Sequence, residues 1–168
     1  MERDELRKIQ QPLKDTYRED PDAAMVLLRA DGDLADGVSC SVQTGQALVQ
    51  AGLHPSTGGT GTLACSGDML LQALVACAGV TLQAVATSLD LPVVGGKITA
   101  TALFDARGTL AVDRASPVGL QDIRLHIELD ADLDDEQQAT LLKLTERYCV
   151  VLQTLRSAPL VTASMSTA

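Results

Sequence analysis

The chain has 168 residues, 46% of them hydrophobic and 21% charged, which is enough apolar material for one domain with a real core. Aromatic residues make up only 2%, with one Phe, two Tyr and no Trp, so that core must be aliphatic. A formal net charge of -9 repels nucleic acid and anionic membrane surfaces alike, and there are few aromatic faces on which bases would stack.

The opening run MERDELRKIQQPLK is charged and lacks the apolar segment of a secretory signal, so a cytoplasmic location is expected. Residues 2–17 read as a short helical arm, with Glu2, Asp4 and Glu5 in the first turn and Leu6, Ile9 and Leu13 on one face. Pro12 is expected to kink it or end it early. The division this suggests is an arm over residues 1–20 and a main domain over residues 21–168.

From Ala23 to Val49 the pattern is that of strands. AAMVLLRA and GVSCSVQT are β-prone runs joined by ADGDLADG, and Cys40 alternates with polar neighbours so as to point inward. The loop GLHPSTGGTGT, residues 52–62, carries neither GxGxxG nor a Walker pattern, and no cofactor is expected. It suits the mouth of a pocket, where His54 either faces in or sits in solvent stabilising the turn.

Residues 64–89 form the most apolar stretch of the chain. Ser66 is a suitable N-cap, with Asp68 in the first turn. Apolar residues then surround the helix on nearly every side, which predicts a buried core helix. Gln72, Thr81 and Gln83 interrupt the run and strands follow it, which disfavours a membrane span. The small residues Ala73, Ala76, Ala78 and Gly79 would allow close packing, including against a second copy.

Strands are then expected over residues 93–106, 107–115 and 119–131, with His126 on the wet face of the last. A second helix starts at Asp132 or Asp134 and runs through EQQATLLKLTERYCVVLQTL. LVTASM reads as a closing strand. The fold class is therefore α+β.

The chemistry available to this chain centres on thiols. There is no GxSxG elbow, and only two histidines, His54 and His126, are present to support cysteine–histidine catalysis or a metal site, so no metal is expected. The four cysteines, Cys40, Cys65, Cys77 and Cys149, are expected as free thiols or a reactive pair rather than structural cross-links. A thiol inside an apolar helix is ordinarily inert, because burial disfavours the thiolate.

The run SGDMLLQALVAC, ending at Cys77, resembles the segment PEELL…A…AC that opens the central helix of the OsmC/Ohr family (osmotically inducible protein C and organic hydroperoxide resistance protein). TERYCVV, around Cys149, resembles that family's second cysteine segment. The order of elements is similar from about Ala23 onward. QPLK from Gln11, GLHP from Gly52, TGG from Thr57 and RGTL from Arg107 further resemble one OsmC-like subgroup.

The resemblance implies an OsmC-like fold, with antiparallel strands around the buried helix in an intertwined homodimer. It further implies a thiol-dependent peroxidase for organic hydroperoxides, acting in oxidative-stress defence and recycled by a dithiol reductant. Cys77 would be peroxidatic and Cys149 resolving. Active members also carry an acidic residue ten positions before the first cysteine, where this chain has Gly67 with Asp68 beside it. They carry a thiolate-stabilising arginine too, for which Arg29 and Arg18 are the candidates. Proline often follows the second cysteine, where this chain has Val150. The alternative implied is a non-catalytic OsmC-like dimer that binds a small apolar ligand.

Overall fold

The structure, a computed structural model, describes residues 2–25, 31–35, 39–44 and 47–167. Helix α1 spans Arg3–Glu19 and opens on a capping box in which Glu2 and Glu5 satisfy each other's exposed amides. Contrary to expectation, the helix continues past Pro12. Its last turns are supported instead by Thr16, whose hydroxyl donates to the Pro12 carbonyl at 3.0 Å. A single 3₁₀ turn, Pro21–Ala24, stands where the expected first strand would begin. Asp20 caps that turn by accepting from the Asp22 amide.

Strands β1 (Asp31–Ala35), β2 (Ser39–Thr44) and β3 (Ala47–Gly52) form an antiparallel meander, and β4 (Ala64–Cys65) joins it parallel to β3. Cys40 lies on β2 opposite Leu34, and the direction of its side chain falls outside the described part of the chain. Helix α2 (Ser66–Leu89) follows directly, with Cys65 rather than Ser66 at its N-cap. It ends at Asp90, which adopts a left-handed conformation (φ 60) and faces Arg3 of α1 at 3.9 Å.

A second sheet pairs β5 (Gly95–Leu103) with β6 (Gln121–Asp130) in antiparallel register, Ala100 opposite Leu125. Both strands alternate as their sequences require. Ile123, Leu125, Ile127 and Leu129 turn inward, and His126 lies on the wet face beside Glu128 at 3.4 Å. The strand expected over residues 107–115 is instead a one-turn helix, α3 (Ala106–Thr109), followed by turns. Local polar bonds decide this. Asp105 accepts from the Arg107 amide at 3.0 Å, and Asp113 accepts from the Ala115 amide at 2.9 Å, offering the backbone partners that a ladder would otherwise supply.

Helix α4 (Asp135–Tyr148) begins at Asp134, which forms a capping box with Gln137. The continuous helix expected to Leu155 is broken at Cys149, and α5 (Val150–Arg156) restarts beyond it. The closing strand LVTASM is absent among the described residues. That segment pairs with no strand, and Leu160, Val161 and Met165 are exposed. A strand needs a ladder partner, and this chain offers that segment none.

The core lies between α2, the β5–β6 pair and the α4–α5 arm. Leu74, Ala78, Leu82 and Ala86 recur every fourth residue on α2 and are buried against it. Leu82 and Ala86 meet Leu133 and Leu141, while Leu74 and Ala78 meet Cys149. By length and composition α2 could cross a bilayer. Here one stripe of it is the hub of the fold. The opposite face, with Ala73, Ala76, Val80 and Gln83, is open, and Val80 is 74% exposed. The expectation of burial all round therefore holds for one side only, because a single chain supplies one covering layer.

Candidate functional site: a thiol pair at a helix break

Cys77 sits in the middle of α2, between the buried Leu74 and Ala78, and is itself half-buried. The residue that meets it is Cys149, fully buried and packed with Leu74 and Ala78. Residues 72 positions apart in the sequence are thus brought together by packing α2 against the α4–α5 junction.

The backbone at that junction gives the pair its chemistry. Cys149 is extended (φ -72, ψ 105), serving at once as the C-cap of α4 and the N-cap of α5. Its own N–H still donates to the Thr145 carbonyl at 3.0 Å, and its carbonyl accepts from the Gln153 N–H at 2.9 Å. Between them, the first amides of α5 have no helical carbonyl to bond.

Burial pushes the Cys77 thiol up, but the Val151 N–H, the Cys149 thiol, the Val150 N–H and the Thr81 hydroxyl together hold it below its ordinary value. Hydrogen bonds to the charged form and the positive end of a helix both favour a thiolate. Cys149 moves the other way. Burial raises it, the Leu152 and Val151 amides oppose this, and the neighbouring Cys77 adds to the rise through its hydrogen bond and charge. The pair is therefore asymmetric, with Cys77 the site of the anion and Cys149 the protonated partner.

The remaining candidates lie elsewhere. Arg18 is in the last turn of α1, exposed and ion-paired with Asp15. Arg29 is outside the described residues. No cation is among the principal influences on Cys77. Asp68 and His54 line a different feature, a cleft of about 740 Å³ at the start of α2 walled by Leu53, Leu71, Leu103 and Phe104. His54 is fixed there. Its Nδ1 accepts from the Ser56 N–H at 3.1 Å, and its ring packs edge-on to Phe104 at 5.9 Å between centroids. With Nδ1 accepting, the neutral ring carries its proton on Nε2.

Cys65 also lines this cleft, although nothing in its sequence context marks it out. A side chain at Gly67 would start 3.6 Å from the Cys65 sulfur, in ordinary contact, so space alone does not exclude an acid there. Thr81 and the Val150 and Val151 amides were likewise not legible as site groups. The only trace of them is a β-branched pair directly after a cysteine. Among the described residues no His, Cys, Asp and Glu group assembles a metal site.

Comparison with protein families matches the model described as OsmC-like protein over residues 59–164. An OsmC-like protein of Mycoplasma pneumoniae superposes with a TM-score of 0.68 at 16% identity, covering 79% of this chain and 89% of its own. An organic hydroperoxide resistance protein, OsmC, of Legionella pneumophila gives 0.61 at 13% identity, covering 79% and 91%. An OsmC-like protein of unknown function from Vibrio cholerae gives 0.58 at 10% identity, covering 77% and 94%. Among curated protein sequences there is no significant match. At these identities the structural likeness speaks for the fold.

Proposed function

Since this chain belongs to the OsmC-like family, we propose that it reduces organic hydroperoxides with Cys77 as the attacking thiolate and Cys149 as the resolving thiol. The observation that carries this reading is the packing of half-buried Cys77 against fully buried Cys149 in one apolar cluster, where Cys77 is held below and Cys149 pushed above the ordinary thiol value. A peroxidase of this kind needs one nucleophile and one proton-bearing partner, and two equivalent thiols would serve less well.

In the proposed cycle the Cys77 thiolate attacks the distal peroxide oxygen, forming the S–O bond as the O–O bond breaks. The alkoxide leaves as the alcohol after taking a proton, and Cys77 becomes a sulfenic acid. Cys149 then attacks the Cys77 sulfur, expelling water and closing a disulfide. A dithiol reductant reopens it by exchange, receiving the disulfide in return. The apolar surroundings of the pair, Leu74, Ala78, Leu125 and Leu152, favour an organic rather than an inorganic peroxide.

The open face of α2 supports a second element of the reading, a homodimer in which a second copy covers Ala73, Ala76 and Val80. Small residues let two helices approach closely, and an exposed apolar strip of this kind is costly in water.

The deciding measurement is loss of cumene hydroperoxide or tert-butyl hydroperoxide in the presence of a dithiol. The wild type should turn over and Cys77→Ser should not, whereas Cys149→Ser, with the dithiol left out, should consume about one equivalent and stop at the sulfenic acid. Equal, slow consumption by the wild type and Cys77→Ser would end the proposal. The cleft bearing His54 and Phe104 favours the alternative of a ligand-binding dimer. Native mass spectrometry separates the two readings, since a retained apolar molecule with no disulfide formation would support that alternative.

A further inference from the structure

Thr145, on α4, is 1% exposed, yet among the described residues its Oγ1 has no hydrogen-bond partner. A threonine inside a helix has an acceptor at hand in the carbonyl four residues back. Thr16 on α1 and Thr154 on α5 use it, donating to the Pro12 and Val150 carbonyls at 3.0 and 2.9 Å. Thr145 does not, and a hydroxyl left unpaired at such depth is costly. It lines a cavity of about 270 Å³ between α4, α5 and the inner face of β6, with Ile123, Leu125 and Leu155 among the apolar walls. The fully buried Leu74 and Thr145 mark its closed end. The partly exposed ion pair of Arg156 with Glu146, at 2.7 Å, marks its solvent side.

We propose that this cavity is a binding site for a small uncharged molecule, an apolar body bearing one hydroxyl, which pairs with the hydroxyl of Thr145. An apolar cavity of about 150 Å³ holds a benzene ring, so this one has room for a ring with a short side chain. The ligand is uncharged because Arg156 and Glu146 already neutralise each other at the entrance, and no charged side chain lies at the closed end to meet an ion. Water fits the site less well. A buried water makes about three hydrogen bonds, and the closed end offers it a single polar side chain. Neither thiol lines the cavity, and it shares no residue with the cleft that holds His54. Leu74 and Leu125 line it and also belong to the cluster around Cys149, so the site adjoins the thiol pair without containing it.

The test is a titration of the full chain with benzyl alcohol, followed by the methyl NMR signals of Ile123, Leu125, Thr145 and Leu155. These should shift together and saturate, while the methyls of Leu53 and Leu103 in the His54 cleft stay in place. Thr145→Val keeps the branched shape and removes the hydroxyl. Without the alcohol this variant should unfold at a higher temperature than the wild type, because it no longer buries an unpaired polar group. It should also bind benzyl alcohol up to about tenfold more weakly, the worth of one hydrogen bond. Three results would each overturn the inference: no saturable shift of the cavity methyls, an unchanged affinity in Thr145→Val, or a lower unfolding temperature for that variant, which would mean that water or the backbone already satisfies the hydroxyl. No peroxide is present in any of these measurements, so the site stands or falls independently of the proposed reduction of hydroperoxides.

Discussion

Cys77 and Cys149 share a residue type and an apolar cluster, and their protonation is pushed in opposite directions. For Cys77 the anion is favoured in the folded chain, so its contribution to stability is present above the ordinary thiol value of 9.0 and is lost as pH falls through its lowered folded value. For Cys149 the neutral form is favoured, so its contribution is present below 9.0 and is lost as pH rises through its raised value. The expected outcome is a split in reactivity. In a pH series analysed by residue, Cys77 should alkylate in the range below 9, where Cys149 remains protected. Simultaneous labelling of both cysteines would contradict the asymmetry. Both cysteines were legible as candidates from their sequence contexts. What sets them apart was not, because it depends on burial and neighbours that only the packing of the helix break against α2 brings together.

At the scale of elements, α4 and α2 hold the two sulfurs together, and each can be loosened by a single change. Asp134 and Gln137 close the start of α4 with bonds of 2.8 and 3.0 Å. Asp134→Ala should cost about 1 kcal/mol, read as a lower midpoint in urea with an unchanged slope. Leu74 is fully buried under Cys149, and Leu74→Ala should cost about 2–5 kcal/mol through lost burial and a residual cavity. Because that cavity would lie beside the thiols, the same variant should also narrow the difference between the Cys77 and Cys149 labelling rates. The periodic elements were readable: α2, the start of the second helix at Asp134, the β6 alternation and the wet face of His126 stand as their patterns indicate, while the break at Cys149 and the open side of α2 do not show in the pattern. The expectations that missed were those where local polar bonds or a missing partner strand outweighed β propensity. Asp105 and Asp113 turned residues 105–116 into a one-turn helix and turns, and LVTASM found no ladder to join.

For the molecule as a whole, the apolar composition of α2 exceeds what one chain covers. One stripe lies in the core, and the strip through Ala73, Ala76 and Val80 is open. A homodimer built on that strip should be broken by Val80→Lys, which places a charge where apolar surface would be buried. Sedimentation or light scattering should then report a dimer for the wild type and a monomer for the variant. A wild type already monomeric at micromolar concentration would remove the dimer. The arm α1 stands apart from this. It touches the far end of α2 through Arg3 and Asp90, and the family match begins well beyond it, at residue 59.

Taken alone, the sequence determined the family, the α+β class, the aliphatic core and the two cysteines worth attention, because periodicity and residue context are local properties of a chain. What only the tertiary structure decided was how those cysteines differ. The break at Cys149 packs against α2 so that one sulfur is fully buried and the other, 72 residues earlier in the chain, is half-buried beside it. That difference is set by where α5 packs against α2, and no pattern within either segment encodes it.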